Sequence, residues 1–137
     1  ATRTGIPISL SVLMIEVARR VGVDLCGVGM PAHFLVRSVR DPGLFFDPFH
    51  QGRQLDRAGA RSLFEQVTGG QVSWDDRFLE PTPNRDIVIR MLKNLKGVFA
   101  GRSDAVRLAI VMKLRSAVPE FAALEASEIA ATSAVLN

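Results

Sequence analysis

The sequence predicts an α+β fold in which one helix packs on a small antiparallel sheet and a wholly helical segment follows. Three observations predict it. Apolar residues recur at helical spacing between Pro7 and Val21; short apolar runs of strand length follow, two of them flanking a strong turn signal; after Pro81 and Pro83 the apolar period is helical throughout. The change of character places a core over residues 1–80 and a helical segment over 81–137.

The first helix is expected from about Pro7 to Val21. Proline suits the first helical position because its missing N–H would be unbonded there. Leu10, Leu13, Met14, Val17 and Val21 form the expected core face, Arg19 and Arg20 complement the dipole, and Gly22 ends the helix. Leu25 to Met30 reads as a strand broken by Pro31, and His33 to Val39 as a second. Arg40-Asp41-Pro42-Gly43 is a turn, so Leu44 to Asp47 returns as the third strand of a hairpin. Asp56 is the expected N-cap of a helix from Arg57 to Val67, ended by Gly69-Gly70. Gln71 to Pro83 reads as irregular. Helices are then expected at Asn84–Ala100, with Ile87, Met91, Leu92, Leu95 and Phe99 as core, at Ala105–Val118 and from Glu120 to about Val135.

Composition narrows the function. A chain of 137 residues that is 47% hydrophobic can bury a core. No apolar run approaches the roughly 18 residues of a membrane span, and the N-terminus carries no basic-then-apolar leader. Cys26 is the single cysteine, which excludes an intramolecular disulfide and fits a reducing, cytoplasmic setting. The net charge of +3 comes from scattered arginines with little aromatic interleaving, which argues against nucleic acid as partner. Cys26, His33 and His50 match no structural zinc spacing, and no glycine-rich phosphate loop is present; no metal or other cofactor is expected.

The order of elements carries the chemistry. A helix N-terminus stabilises an anion, and a cysteine placed there becomes a thiolate nucleophile. A histidine on a neighbouring strand then serves as base, and an aspartate on the next fixes its tautomer. Here the helix at Pro7 precedes His33, which precedes Asp47. Four pieces fall in this order: Arg3 to Leu10, Pro31-Ala32-His33-Phe34-Leu35, Asp47-Pro48-Phe49-His50-Gln51-Gly52, and Asn84-Arg85 with Arg90 to Lys96. In these pieces the chain resembles the transglutaminase-like superfamily with its papain-like core. It is most similar to the bacterial SirB-like branch, in which that core is joined to tetratricopeptide-like helices.

The resemblance implies a reduced transglutaminase-like core followed by a tetratricopeptide-like segment. It assigns the catalytic histidine to His33 and the orienting acid to Asp47. The active members' cysteine falls on Pro7, a substitution typical of this branch, and Ala32 stands where the family usually has glycine. The chain after Pro119 departs from the pattern, and the family's helical region before the Gly-x-Pro motif is not in the sequence, which points to a piece of a longer protein. The implied function is that of a pseudoenzyme: a protein- or peptide-binding, regulatory module with a vestigial His33–Asp47 pair. Gly5, Pro7, Phe34, Pro48, Phe49, Arg90 and Asn94 are the expected cleft or binding residues, Arg90 and Asn94 alternatively clamping the helices to the core. The alternative is an amide-directed acyl transferase or cysteine-protease-like enzyme with a displaced nucleophile, Cys26 or Ser9. Ser9 lies about 200° round the helix from Pro7 and is expected to bond nearby backbone instead. Cys26 is expected as a small core residue, and His50 as an exposed residue in preference to a competing partner of the pair.

The hairpin tests the His–Asp pair. A loop limited to Arg40–Gly43 would set Asp47 opposite Val36, on the other face from His33, so the pair requires an odd-length loop or a bulge.

Overall fold

The computed structural model describes residues 5–122. The chain divides into two compact units, the first ending at Ile87 and the second beginning at Val88.

The first unit opens with α1 (Pro7–Arg20), which has proline in its first turn and Ile6 as a cap without a side-chain bond. Four strands follow: β1 (Leu25–Val28), β2 (Leu35–Ser38), β3 (Phe45–Asp47) and β4 (Arg53–Leu55). They form an antiparallel meander in sequence order. A 3-10 turn at Pro48–His50 joins β3 to β4, and α2 (Arg57–Thr68) follows. Asp56 caps α2 by accepting from the Gly59 N–H at 2.7 Å, and Gly69 ends it at φ 61°. A second 3-10 turn, Asp76–Leu79, lies in the stretch read from sequence as irregular. The chain then bonds back to β1, where the Thr82 N–H donates to Gly27 O at 2.8 Å.

The hairpin register decides where the site residues point. Val36 faces Phe46 and Arg37 faces Phe45, so the loop is Val39 to Gly43, five residues and odd. Val39 lies beyond the last hairpin bond, Ser38 N–H to Leu44 O at 3.0 Å, and its own N–H donates to Asp24 O at 3.1 Å, extending the pairing with the β1 side. Asp41 closes the turn, with its carbonyl accepting from the Leu44 N–H and its carboxylate from the Gly43 N–H. Carried one residue further, the register sets Asp47 opposite Leu35, an even step from His33. Val28, Leu35, Phe45 and Leu55 share the same parity and pack with Ala60, Leu63 and Phe64 of α2. Each such burial is worth roughly 1.5–3 kcal/mol. A slip by one residue would turn this set outward, so core packing also fixes the parity of Asp47.

That cluster contains no residue of α1, which instead packs against β1, β2 and the 48–50 turn. Its inward residues are Ile8, Ser11 and Ala18, and the Ser11 hydroxyl donates to Phe34 O at 3.3 Å. The expected apolar face is therefore corrected: Leu13, Val17 and Val21 are exposed. The helix is apolar nearly all round, so spacing alone did not distinguish the stripe that carries the small Ser11 and Ala18.

In the second unit α3 (Asn84–Gly101), which runs through the division at Ile87, connects by a short turn to α4 (Ala105–Ser116). Asp104 caps α4 by accepting from the Arg107 N–H at 3.1 Å. Leu92, Val111 and Phe121 form this unit's core with Ile89, Leu95, Phe99 and Val118 packed on it. Helical residues resume at Pro119, and most of the third helix expected to Val135 lies outside the described residues.

Candidate functional site

The best-built polar cluster among the described residues is His33, Asp47 and His50. Asp47 ends β3, where its chain turns sharply: Pro48 presets the first residue of the 3-10 turn, and Gln51 and Gly52 adopt left-handed φ of 59° and 74°. Asp47 Oδ1 caps that turn, accepting from the N–H groups of Phe49 at 3.1 Å and His50 at 3.3 Å. The same oxygen accepts from His33 Nε2 at 3.0 Å, while Oδ2 accepts from His50 Nδ1 at 2.6 Å. His33 and Asp47 are 3% and 1% exposed, whereas the His50 side chain is 51% exposed.

Burial alone would raise the pKa of Asp47. The hydrogen bonds from His50 and His33, with the attraction of both imidazoles, outweigh it and hold the carboxyl below the ordinary aspartate value. An ionised carboxylate only accepts, so the protons sit on His33 Nε2 and His50 Nδ1. In neutral His33 the lone pair is then on Nδ1, the tautomer a general base uses when an acid orients its other nitrogen. The ring of Phe49 meets that of His33 edge-on, with centroids 6.0 Å apart.

His33 is placed by a tight turn. Its N–H donates to Met30 O at 3.3 Å, and Ala32 before it has φ 61°. That conformation favours glycine over alanine.

The other expected residues are distributed differently. Pro7 stands at the start of α1 and offers no nucleophilic atom. The Ser9 hydroxyl donates to Ile6 O at 2.9 Å, and Cys26, half-buried on β1, has Sγ 3.6 Å from Arg37 O. Gly5 and Pro48 are half-buried, and Phe49 is exposed beside His33. Phe34 does not line an open cleft; it is fully buried and its ring fills the space over Gly27. Arg90 and Asn94 belong to the second unit; burial lowers the pKa of Arg90, and Asn94 is exposed.

His50, read from the sequence as exposed or as a competing partner of the pair, is both exposed and bonded to Asp47. The sequence held the signal. In a 3-10 turn residues three apart eclipse, so Asp-Pro-x-His sets the imidazole over the capping carboxylate.

Comparison with known proteins agrees with this geometry. The sequence profile described as the Transglutaminase-like superfamily matches residues 1–93. The chain belongs to that superfamily. It is similar to a UPF0162 protein of Xylella fastidiosa, 50% identical over 112 residues that cover 78% of this chain and 40% of that protein. A UPF0162 protein of Pseudomonas aeruginosa is 32% identical over 102 residues, 74% of this chain and 37% of that protein. F-box only protein 21 of Mus musculus is 42% identical over 62 residues, which cover 39% of this chain and 10% of that protein. The chain thus spans about two-fifths of the length of its bacterial relatives. No solved structure matches it. Among the described residues, no helix is long and apolar enough to cross a membrane.

Proposed function

We propose that this chain is a non-catalytic, SirB-like member of the superfamily that binds a protein or peptide in the bacterial cytoplasm, its helical segment serving as a tetratricopeptide-like contact surface. The buried His33–Asp47 pair carries the reading, together with Pro7, which stands where the resemblance puts the active members' cysteine and has no nucleophilic atom. Ser9 supports it, because its hydroxyl is directed to Ile6 O. Without an attacking atom, the pair still holds the 48–50 turn and presents Phe49, 46% exposed, next to His33.

The test has two arms. Peptides selected from a displayed random library should lose binding in Phe49→Ala. Amine incorporation into casein and hydrolysis of peptide amides should stay at background in the wild type and in His33→Ala. Turnover that vanishes in His33→Ala would overturn the reading in favour of an amide-directed enzyme with a displaced nucleophile.

A further inference from the structure

The geometry points to a binding site for a divalent first-row transition metal, of which Zn2+ is the probe of choice, formed by His33 Nε2, the Asp47 carboxylate and His50 Nδ1. This goes beyond the peptide-binding reading and does not depend on it. The three donors lie within 4.8 Å of one another. Ligands about 2.0–2.2 Å from one metal sit roughly 3–3.4 Å apart. His33 Nε2 is already 3.0 Å from Asp47 Oδ1 and His50 Nδ1 is 2.6 Å from Oδ2; because the donors spread over as much as 4.8 Å, His50 must turn off Oδ2 and bring its Nδ1 closer to His33 Nε2 by up to about 1.4 Å. Half its side chain is exposed, so it can make that movement and open a path for the ion.

The donor set selects the class of ion. Two imidazoles and one carboxylate suit Zn2+, Co2+, Ni2+ or Fe2+ and are too poor in oxygen for Ca2+ or Mg2+. The carboxylate can give Oδ2 by exchanging the His50 ring hydrogen for the metal. Oδ1 is occupied by the Phe49 and His50 N–H groups and by His33, while Oδ2 accepts from the His50 ring. The Oδ1 bonds to backbone would remain as the outer shell that orients the ligand. Metal binding replaces the two ring hydrogens that face Asp47, and in neutral imidazoles these move to the opposite ring nitrogens. Counting only His and Cys along the sequence misses the site, because its third donor is the aspartate between them.

Zn2+ binding should be measured by calorimetry on metal-stripped protein in a Cys26→Ser background, and Co2+ binding by visible absorption. We expect one Zn2+ per chain, a rise in the melting temperature on loading, and a Co2+ spectrum with bands of a site of fewer than six ligands. Loss of an outer-shell partner alone weakens metal sites by about 10–100-fold, so His50→Ala should weaken Zn2+ binding by more than about tenfold. Asp47→Asn should do the same, but its buried position threatens the fold, and the exposed His50 supplies the decisive variant. Equal affinity in the parent and His50→Ala, or no stoichiometric Zn2+ uptake, would overturn the inference.

Discussion

Asp47 holds the site together, and its removal gives the most informative stability series. In Asp47→Ala the 48–50 turn loses its cap, which costs roughly 0.5–2 kcal/mol. His33, 3% exposed, loses the acceptor of its Nε2–H, and a buried unsatisfied donor costs about 1–3 kcal/mol. The bond from His50 adds little, because that side chain is 51% exposed and water replaces the acceptor. The total is roughly 1.5–5 kcal/mol. Asp47→Asn keeps an acceptor for the turn and should lose about half as much, and His50→Ala less than about 1 kcal/mol. Urea unfolding followed by circular dichroism at pH 7 without metal measures the series. The sign with pH follows from the depressed pKa of Asp47. As pH falls, the unfolded state takes up its proton first, near the ordinary aspartate value of about 3.9. The carboxylate's contribution is therefore full above about pH 4 and is lost as pH falls through the lower folded-state value. The difference between wild type and the non-titrating Asp47→Asn should shrink over that window. An Asp47→Ala protein within about 0.5 kcal/mol of wild type, or one no less stable than His50→Ala, would refute the account.

Three further substitutions test separate parts of the structure. A Cβ on Gly27 would lie 2.8 Å from Phe34 Cζ and 2.9 Å from Ile87 Cδ1, so Gly27→Ala should cost about 1–3 kcal/mol by overpacking, and a neutral result in the same urea assay would show that the ring can move. Ala32→Gly relieves a left-handed conformation worth about 1–2 kcal/mol but frees the unfolded chain by about 0.4–1 kcal/mol. The net expectation is a gain of roughly 0.5 kcal/mol, and a loss of that size would mean that the methyl group packs usefully. Cys26 has its sulfur on Arg37 O, not on an imidazole, so its iodoacetamide alkylation rate between pH 5 and 9 should be the same in wild type and His33→Ala; a slower rate in the variant would bring the cysteine mechanism back.

Order along the chain was legible, and proximity in space was only partly so. His33 and Asp47 stood out because each sits beside a proline-marked turn, but their meeting depended on one residue. Val39 reads as strand by composition, and counting it into the hairpin puts Asp47 on the wrong face. It lies beyond the last hairpin bond, Ser38 N–H to Leu44 O, and its N–H goes to Asp24 O, an arrangement that no local pattern encodes. β4 escaped for a related reason: Arg53, Gln54 and Leu55 have modest strand preference and are held by pairing with β3. The inward face of α1 was misread because Ser11, the residue that bonds to Phe34 O, looks polar in a periodicity count.

The same logic explains why the cluster needs no nucleophile to persist. Asp47 serves two ends at once: it caps the turn that links β3 to β4, and it satisfies the buried His33. A chain that presents proline and no attacking atom at position 7 keeps both structural tasks in place, whereas loss of Asp47 would leave a buried donor and an uncapped turn. Retention of a His–Asp pair is therefore weak evidence for turnover in this fold. His50 is different. Its exposure makes its bond to Asp47 nearly dispensable for folding, so a large functional effect of His50→Ala in a stable protein would mark chemistry at this carboxylate, and metal uptake is the form the donor set favours.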